Sequence, residues 1–216
     1  MKEEAVKFIT EIIKPWEELN IKFSTIVSMN PNINDFITSA NGLTISIKHM
    51  PENILQADPN QLAKENRAYE IIHDLGDSIK HGQLRRQGRQ SSISVSTMFE
   101  RSPDATYRFL RNRITIMHNT YGKIDFMECA IEASKFVAEK LDVRTDWNPQ
   151  IINRNGEFSN EINIHASSEN QVYWTGNALE FVEYDADGNY KNVDMNGQVL
   201  FSLTIDDNLS IGEITK

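Results

Sequence analysis

The sequence predicts an α+β protein: a helical bundle over residues 1–142 with a β-hairpin insert at about 91–118, then a small antiparallel β-module over 146–216. Three observations carry this. Apolar residues recur at three- and four-residue spacing through most of the first 81 residues and again from about Asp125 to Leu141, the period of helices with one buried face. SSISVSTMF and TYRFLRNRITIMH instead alternate and are rich in β-branched residues, as strands are. After Asp142 the chain turns rich in Asn, Gly and Asp and carries further alternating runs: EINIHAS, ALEFVEY, NYKNVDM and QVLFSLTI.

Taken in order, residues 1–27 read as a helix with Val6, Ile9, Ile12, Ile13, Trp16, Leu19 and Phe23 on its apolar face. Pro15 falls inside it and should kink or split it, because proline lacks the N–H and its ring meets the preceding turn. MNPN (29–32) is a break, and residues 33–47 read as a second helix. HMPENILQADPN reads as a loop ending in a helix start, with Asp58 as N-cap and Pro59 in the first helical position. A third helix is expected from Asn60 to His81, stopped by Gly82. EYDADGNYK has a hairpin turn at its centre. No repeat or low-complexity tract is evident.

Composition narrows the function classes. Hydrophobic residues make up 39% and charged residues 25%, ordinary for a globular protein. The charged, amphipathic N-terminal stretch is unlike a signal peptide, and no run approaches the ~20 apolar residues that span a bilayer. Cys129 is the one cysteine, which excludes an internal disulfide and a cysteine-based zinc cage. The expectation is a cytoplasmic protein with no membrane partner.

The net charge of −9 argues against nonspecific nucleic-acid binding by the whole surface. The charge is uneven, however. Between Lys80 and Arg113, basic residues exceed acidic ones by six, leaving −15 on the rest of the chain. Such an island serves either as an anion site or as a face paired to the protein's own carboxylates. Were Arg85, Arg86, Arg89, Arg111 and Arg113 to form one exposed surface, the protein would bind polyanions despite its acidic balance.

IIHDLGDSIKHGQLRR (71–86) concentrates the candidate chemistry. On a helix, His73, Asp77, Lys80 and His81 share a face, with Asp74 and Ser78 beside them. One reading is a polar face whose C-terminal cations offset the helix dipole. Asp77 is then expected to be partly buried and to bond a group outside its own helix, most simply in the hairpin insert. A second reading is a metal site. IIHDLGD resembles the His-Asp pair of HD-domain phosphohydrolases, and the resemblance implies a ligand set of His73 and Asp74 completed by His49 upstream and Asp125 or Asp142 downstream.

Another resemblance covers residues 60–141. The pattern Asp74-x-x-Asp77-x-x-Lys80-His81, then Leu84, a strand pair and a helix opening GKIDFMECA is similar to uncharacterised bacterial and phage HEPN-like helical proteins. It implies a HEPN-like antiparallel bundle and binding or processing of RNA, a nucleotide or a protein partner in phage–host conflict. HEPN ribonucleases use an Arg and a following His without metal, which implies catalytic roles for Arg111, Arg113 and His118 in RNRITIMH. That chemistry needs Arg111 and His118 on one face, which a helix provides and a strand does not; three consecutive β-branched residues, Ile114–Ile116, favour a strand. The binding residues expected are Asp77, Lys80, His81, Arg85, Arg86 and Arg89, with no cofactor and no metal. Partners of matching chemistry are RNA, a nucleotide or an acidic protein; a homodimer is compatible.

Whether the chain is an enzyme stays open, the alternatives being a noncatalytic interaction or inhibitor protein and a metal-dependent phosphohydrolase. Weaker patterns are His118-Asn119-Thr120 and His165-Ala166-Ser167, as in two-histidine phosphoesterases, and Asp185-Ala186-Asp187-Gly188 with Asp194, as in calcium loops. The last lacks the closing Glu and reads better as a hairpin turn.

Overall fold

A computed structural model describes residues 3–25, 32–167, 177–193 and 200–206. The first helical run comprises α1 (Glu3–Phe8), a π-turn at Ile9–Ile13 and α2 (Lys14–Thr25). The π-turn stands immediately before Pro15, with the Lys14 N–H donating to the Ile9 carbonyl. Widening the turn there relieves the clash of the ring with the preceding carbonyls, so the helix is re-registered at Pro15 rather than broken. The expected helix end near Val27 and the break at 29–32, apart from Asn32, lie outside the described residues.

α3 spans Asn32–Leu55. The loop expected at HMPEN is therefore corrected: these residues are helical, with Pro51 inside the last turns and Gln56 in the left-handed region closing the helix at φ 54°. The helix expected over 60–81 is two helices, α4 (Pro59–Glu65) and α5 (Arg67–His81). Asp58 caps α4 through the Asn60 N–H, with Pro59 at its start. Asn66 is extended (φ −143°, ψ 122°) and caps α5 by accepting from the Tyr69 N–H at 2.9 Å. Gly82, at φ 71°, ends α5. α6 (Phe126–Lys140) starts at Asp125, whose carboxylate accepts from the N–H groups of Met127 and Glu128.

The strands are β1 (Ser91–Arg101), β2 (Tyr107–His118), β3 (Gly122–Asp125), β4 (Glu161–Ser167), β5 (Asn177–Tyr184), β6 (Tyr190–Asn192) and β7 (Leu200–Asp206). They make a five-stranded sheet in the order β3-β2-β1-β5-β6 and a two-stranded sheet β4-β7. The expected hairpin exists, but as the middle of a larger sheet. The expected antiparallel C-terminal module is corrected too. β5 pairs parallel with β1, Val95 opposite Asn177 through Glu100 opposite Val182, and β4 pairs parallel with β7. Among the described residues of this stretch, β5 and β6 pair antiparallel. Burial explains why β5 joins β1. Phe99, Tyr107, Ile162 and Phe181 make one apolar cluster; Met98, Leu110 and Val182 make another. Adjacent strand residues point to opposite faces, so Met98–Phe99 and Phe181–Val182 feed both clusters, and strands apolar on both sides suit a covered parallel pair.

The chain divides into two compact units, both drawing on β1 and β2. One comprises Met1–Ile21, Phe36–Ser94 and Ile114–Ile151; the other comprises Lys22–Asp35, Val95–Arg113 and Ile152–Lys216. In the first, α5 packs on α4 and α6, and its fully buried side chains include Phe8, Trp16, Tyr69, Ile72 and Phe126. Trp16 donates its indole N–H to the Met127 carbonyl at 3.1 Å and meets Trp147 edge-on at 5.5 Å. Trp147 in turn donates to Glu17. No described helix is long and apolar enough to cross a membrane.

Replacing Asn66 with Ala removes the acceptor that starts α5 and should cost about 1 kcal/mol, whereas Asn66→Gly should cost only a few tenths. Urea denaturation of the two variants checks the difference.

Candidate functional site

α5 has the most one-sided apolar face in the first unit, yet that face also buries His73, Asp74 and Ser78. The three-residue offset puts Asp74 and Asp77 one turn apart on the same side, and both are held by one guanidinium. Arg89 Nε donates to Asp74 Oδ1 at 2.6 Å, and its Nη2 donates to Asp77 Oδ2 at 2.7 Å. The same Nη2 lies 3.0 Å from His73 Nδ1. A guanidinium has donors only, so His73 faces it with a lone pair. Asp77 Oδ1 accepts from Lys48, which reaches over from α3 with its side chain only 5% exposed. Asp77 is thus partly buried and bonded outside its own helix, as expected, but its partners are Lys48 on α3 and Arg89 in the connection preceding β1 rather than the hairpin insert.

Gly76 makes this approach feasible. A Cβ there would lie 2.8 Å from the Lys48 Cδ, so the α5 position facing Lys48 has no room for a side chain. Glycine in a helix interior costs roughly 1 kcal/mol against alanine; here that cost admits a lysine stem into the core. Two carboxylates and two cations then balance in a buried setting, where an unmatched charge would be expensive.

The sixth titratable group of this cluster is His118, at the end of β2. Its Nδ1 accepts from the N–H groups of Thr120 and Tyr121 at 3.1 and 3.3 Å, so the ring proton is on Nε2, 3.4 Å from Asp74 Oδ2. The ring is buried and packs against Tyr121 at 4.8 Å. Tyr121 donates to Glu70, with the Arg67 guanidinium over its ring. His118 thus has its basic nitrogen committed to the backbone.

Burial alone raises the Asp74 carboxyl. The Arg89 hydrogen bond and charge, with the His73 ring beside it, outweigh that and hold it below the usual carboxylate range. Burial likewise raises Asp77, and the Lys48 hydrogen bond and charge bring it below its usual value. At Arg89 burial acts downward, and the two carboxylates more than offset it. Burial pushes the Cys129 thiol up to about 12, which makes it a poor nucleophile.

The segment after α5 is fastened by its own side chains. The Gln90 carboxamide accepts from the Leu84 N–H and donates to the Gly82 carbonyl, and Gln87 donates to the Leu84 carbonyl. Asn119 donates to the carbonyls of Gln87 and Gln90, and Thr120 to that of Gly88. Ser78 Oγ accepts from the Ser91 N–H, tying the start of β1 to α5. On this fixed backbone Lys80, His81, Arg85 and Arg86 are all exposed.

The structure divides the basic island. Arg113 pairs with Glu180 at 3.3 Å, Arg108 with Glu100 at 2.6 Å and Arg101 with Glu183 at 3.6 Å, while Arg111 is buried. With Arg89 clasped by two aspartates, Arg85, Arg86, Arg89, Arg111 and Arg113 do not form one exposed surface. Residues 107–118 are a strand, on which separations of seven and five residues turn Arg111 and Arg113 to the face opposite His118.

Among the described residues, the group able to hold a metal is His73, Asp74 and Asp77, whose ligand atoms lie within 4.8 Å of one another. Arg89 Nη2 stands among those atoms, so an ion would have to displace it. The ligand set implied by the HD resemblance is not assembled there: His49 pairs with Glu52 at 2.6 Å, and neither Asp125 nor Asp142 joins the group. Asp185–Asn189 is a hairpin turn in which the Asp185 carboxylate accepts from the N–H groups of Asp187 and Asn189; Asp194 lies outside the described residues, as do the side chains of 165–167.

No sequence signal pointed to Lys48 or to the Arg89 clasp. The available hint was Gly76, a glycine inside a strongly periodic helix, which marks a close approach.

The chain matches no protein-family model, no curated protein and no solved structure.

Asp77→Ala leaves Lys48 buried against nothing and should destabilise by about 3–5 kcal/mol in urea denaturation. For pH, the carboxyls of Asp74 and Asp77 are lower folded than unfolded. Their contribution is complete above the unfolded value of about 3.9 and is lost as pH falls through the lower folded values. Thermal scans between pH 2 and 6 should show stability rising with pH, and Asp74→Asn should flatten that rise.

Proposed function

We propose that this chain is an RNA-binding protein whose contact surface is the fastened connection after α5. Arg85 and Arg86, with His81 and Lys80 beside them, are the residues that meet the phosphates. One observation carries the reading: two arginines are exposed on a backbone fixed by Gln87, Gln90, Asn119 and Thr120, whereas Arg89, Arg101, Arg108 and Arg113 are matched by the protein's own carboxylates. A fixed donor array loses little conformational entropy on binding, and guanidinium groups suit phosphate oxygens. In this reading Asp77 and Arg89 position the contact surface and do not themselves touch RNA. It agrees with the HEPN-like resemblance carried by Asp74-x-x-Asp77-x-x-Lys80-His81, and extends to a role in phage–host conflict. Binding without turnover is favoured over cleavage, because the His118 Nδ1 accepts from backbone N–H groups.

Fluorescence anisotropy with a labelled single-stranded RNA tests this. Affinity should fall with salt by roughly 0.7 log units per log unit for each phosphate contact, and Arg85→Glu with Arg86→Glu should abolish it without lowering Tm. Absent or salt-insensitive binding overturns the reading; retention of an acidic protein instead would reassign the loop to protein recognition.

A further inference from the structure

A second surface lies wholly within the unit built from residues 22–35, 95–113 and 152–216. An open cleft of about 430 Å3 is lined by Glu100, Arg108, Asn153, Arg154, Asn155 and Tyr184, among others. Arg108 is fully engaged: its Nε and Nη2 grip Glu100, its Nη1 donates to Asn155 Oδ1 at 3.0 Å, and its guanidinium lies 4.6 Å from the centre of the Phe158 ring. Its charge is therefore cancelled, and it serves to place Asn155. Asn153 donates to the Tyr184 hydroxyl at 3.2 Å. Tyr184 is 37% exposed and Tyr190, opposite it in the β5–β6 hairpin, 43% exposed, with ring centres 6.0 Å apart.

Each asparagine carboxamide has one end fixed by these bonds and the other free to bind. Asn153 keeps its Oδ1 as acceptor and Asn155 its Nδ2 as donor. A donor and an acceptor beside an exposed aromatic ring, with local charges cancelled, fit the edge and face of a nucleobase, which stacks on aromatic side chains and offers both kinds of group at its edge. Arg154, whose side chain is exposed, adds a cation for an attached phosphate. We propose that this cleft binds a nucleobase, carried by a free nucleotide or an unpaired nucleic-acid strand. The inference does not depend on the Arg85–Arg86 surface.

The test uses the full chain, labelled with 15N, and the 5′-monophosphates of adenosine, guanosine, cytidine and uridine. At least one should shift the side-chain amide signals of Asn153 and Asn155 saturably. Tyr184→Ala should weaken that nucleotide tenfold or more. Asn155→Asp keeps the acceptor for Arg108 but exchanges the donor for a negative charge, so it should weaken the uncharged nucleoside, which has no phosphate to be repelled, as well as the nucleotide, with Tm unchanged even if the tyrosine variant folds poorly. Arg85→Glu with Arg86→Glu should leave the shifts intact, which separates failure here from failure of the RNA-binding reading. A short single-stranded RNA that displaces the mononucleotide identifies the strand as the source; failure to displace identifies the free nucleotide, and either keeps the proposal. Unmoved Asn153 and Asn155 signals at millimolar nucleotide overturn it. So does ribose 5-phosphate competing equally well, or unchanged affinity in Asn155→Asp.

Discussion

The Arg89 guanidinium, spanning Asp74 and Asp77, is the interaction on which the rest of the first unit's polar architecture depends. Two carboxylates one helical turn apart on a buried face would repel each other and demand water. Arg89 and Lys48 supply the two opposing charges, one from the segment before β1 and one from α3. With both present, α5 can turn this side inward while its apolar residues pack on α4 and α6. The tight fit of Gly76 against Lys48 belongs to the same solution, since the second cation enters only where the helix lacks a side chain.

That arrangement also sets the course of the backbone. Fixing Arg89 to α5 folds residues 82–90 back along the helix end, where Gln90 and Asn119 complete the fastening and Ser78 receives the first N–H of β1. The central sheet strand therefore starts from a point defined by the charge cluster. The same device brings His118 against Asp74 and Tyr121, in a buried place suited to holding structure together. A histidine whose acceptor nitrogen is occupied by two backbone N–H groups orients its neighbours.

The basic stretch between Lys80 and Arg113 shows how little a local charge count says about a surface. Strand arginines meet glutamates of the same sheet: Arg108 with Glu100 and Arg101 with Glu183 on neighbouring strands, and Arg113 on β2 with Glu180 on β5, across β1. Glu180 and Glu183 are distant in sequence, and the count treats them as belonging elsewhere. What remains exposed is short and local, Lys80 to Arg86, and its chemistry differs from that of the cleft beside Tyr184, where charges cancel and amides and aromatic rings are left to recognise a ligand.

The sequence by itself determined the local elements. Helical spacing marked α1–α2, α5 and α6; Asp58, Pro59 and Gly82 marked ends through capping and positive φ; and the β-branched runs marked β1 and β2, because these effects act within a few residues. It also placed Asp77 on a shared face with Lys80 and His81, since that is helix geometry alone. Only the tertiary structure decided what those elements do together. HMPEN reads as a loop, but α3 continues through it, with the left-handed Gln56 as its end. Alternation revealed β5 and β4 but not that each would pair parallel, because strand direction depends on which buried faces meet after the chain has crossed over. The partners of Asp77, Lys48 at 29 residues' distance and Arg89 at 12, follow from the packing of three separate segments. A buried charge takes whichever opposite charge the fold brings to it, and that choice is not written in the spacing of residues along one helix.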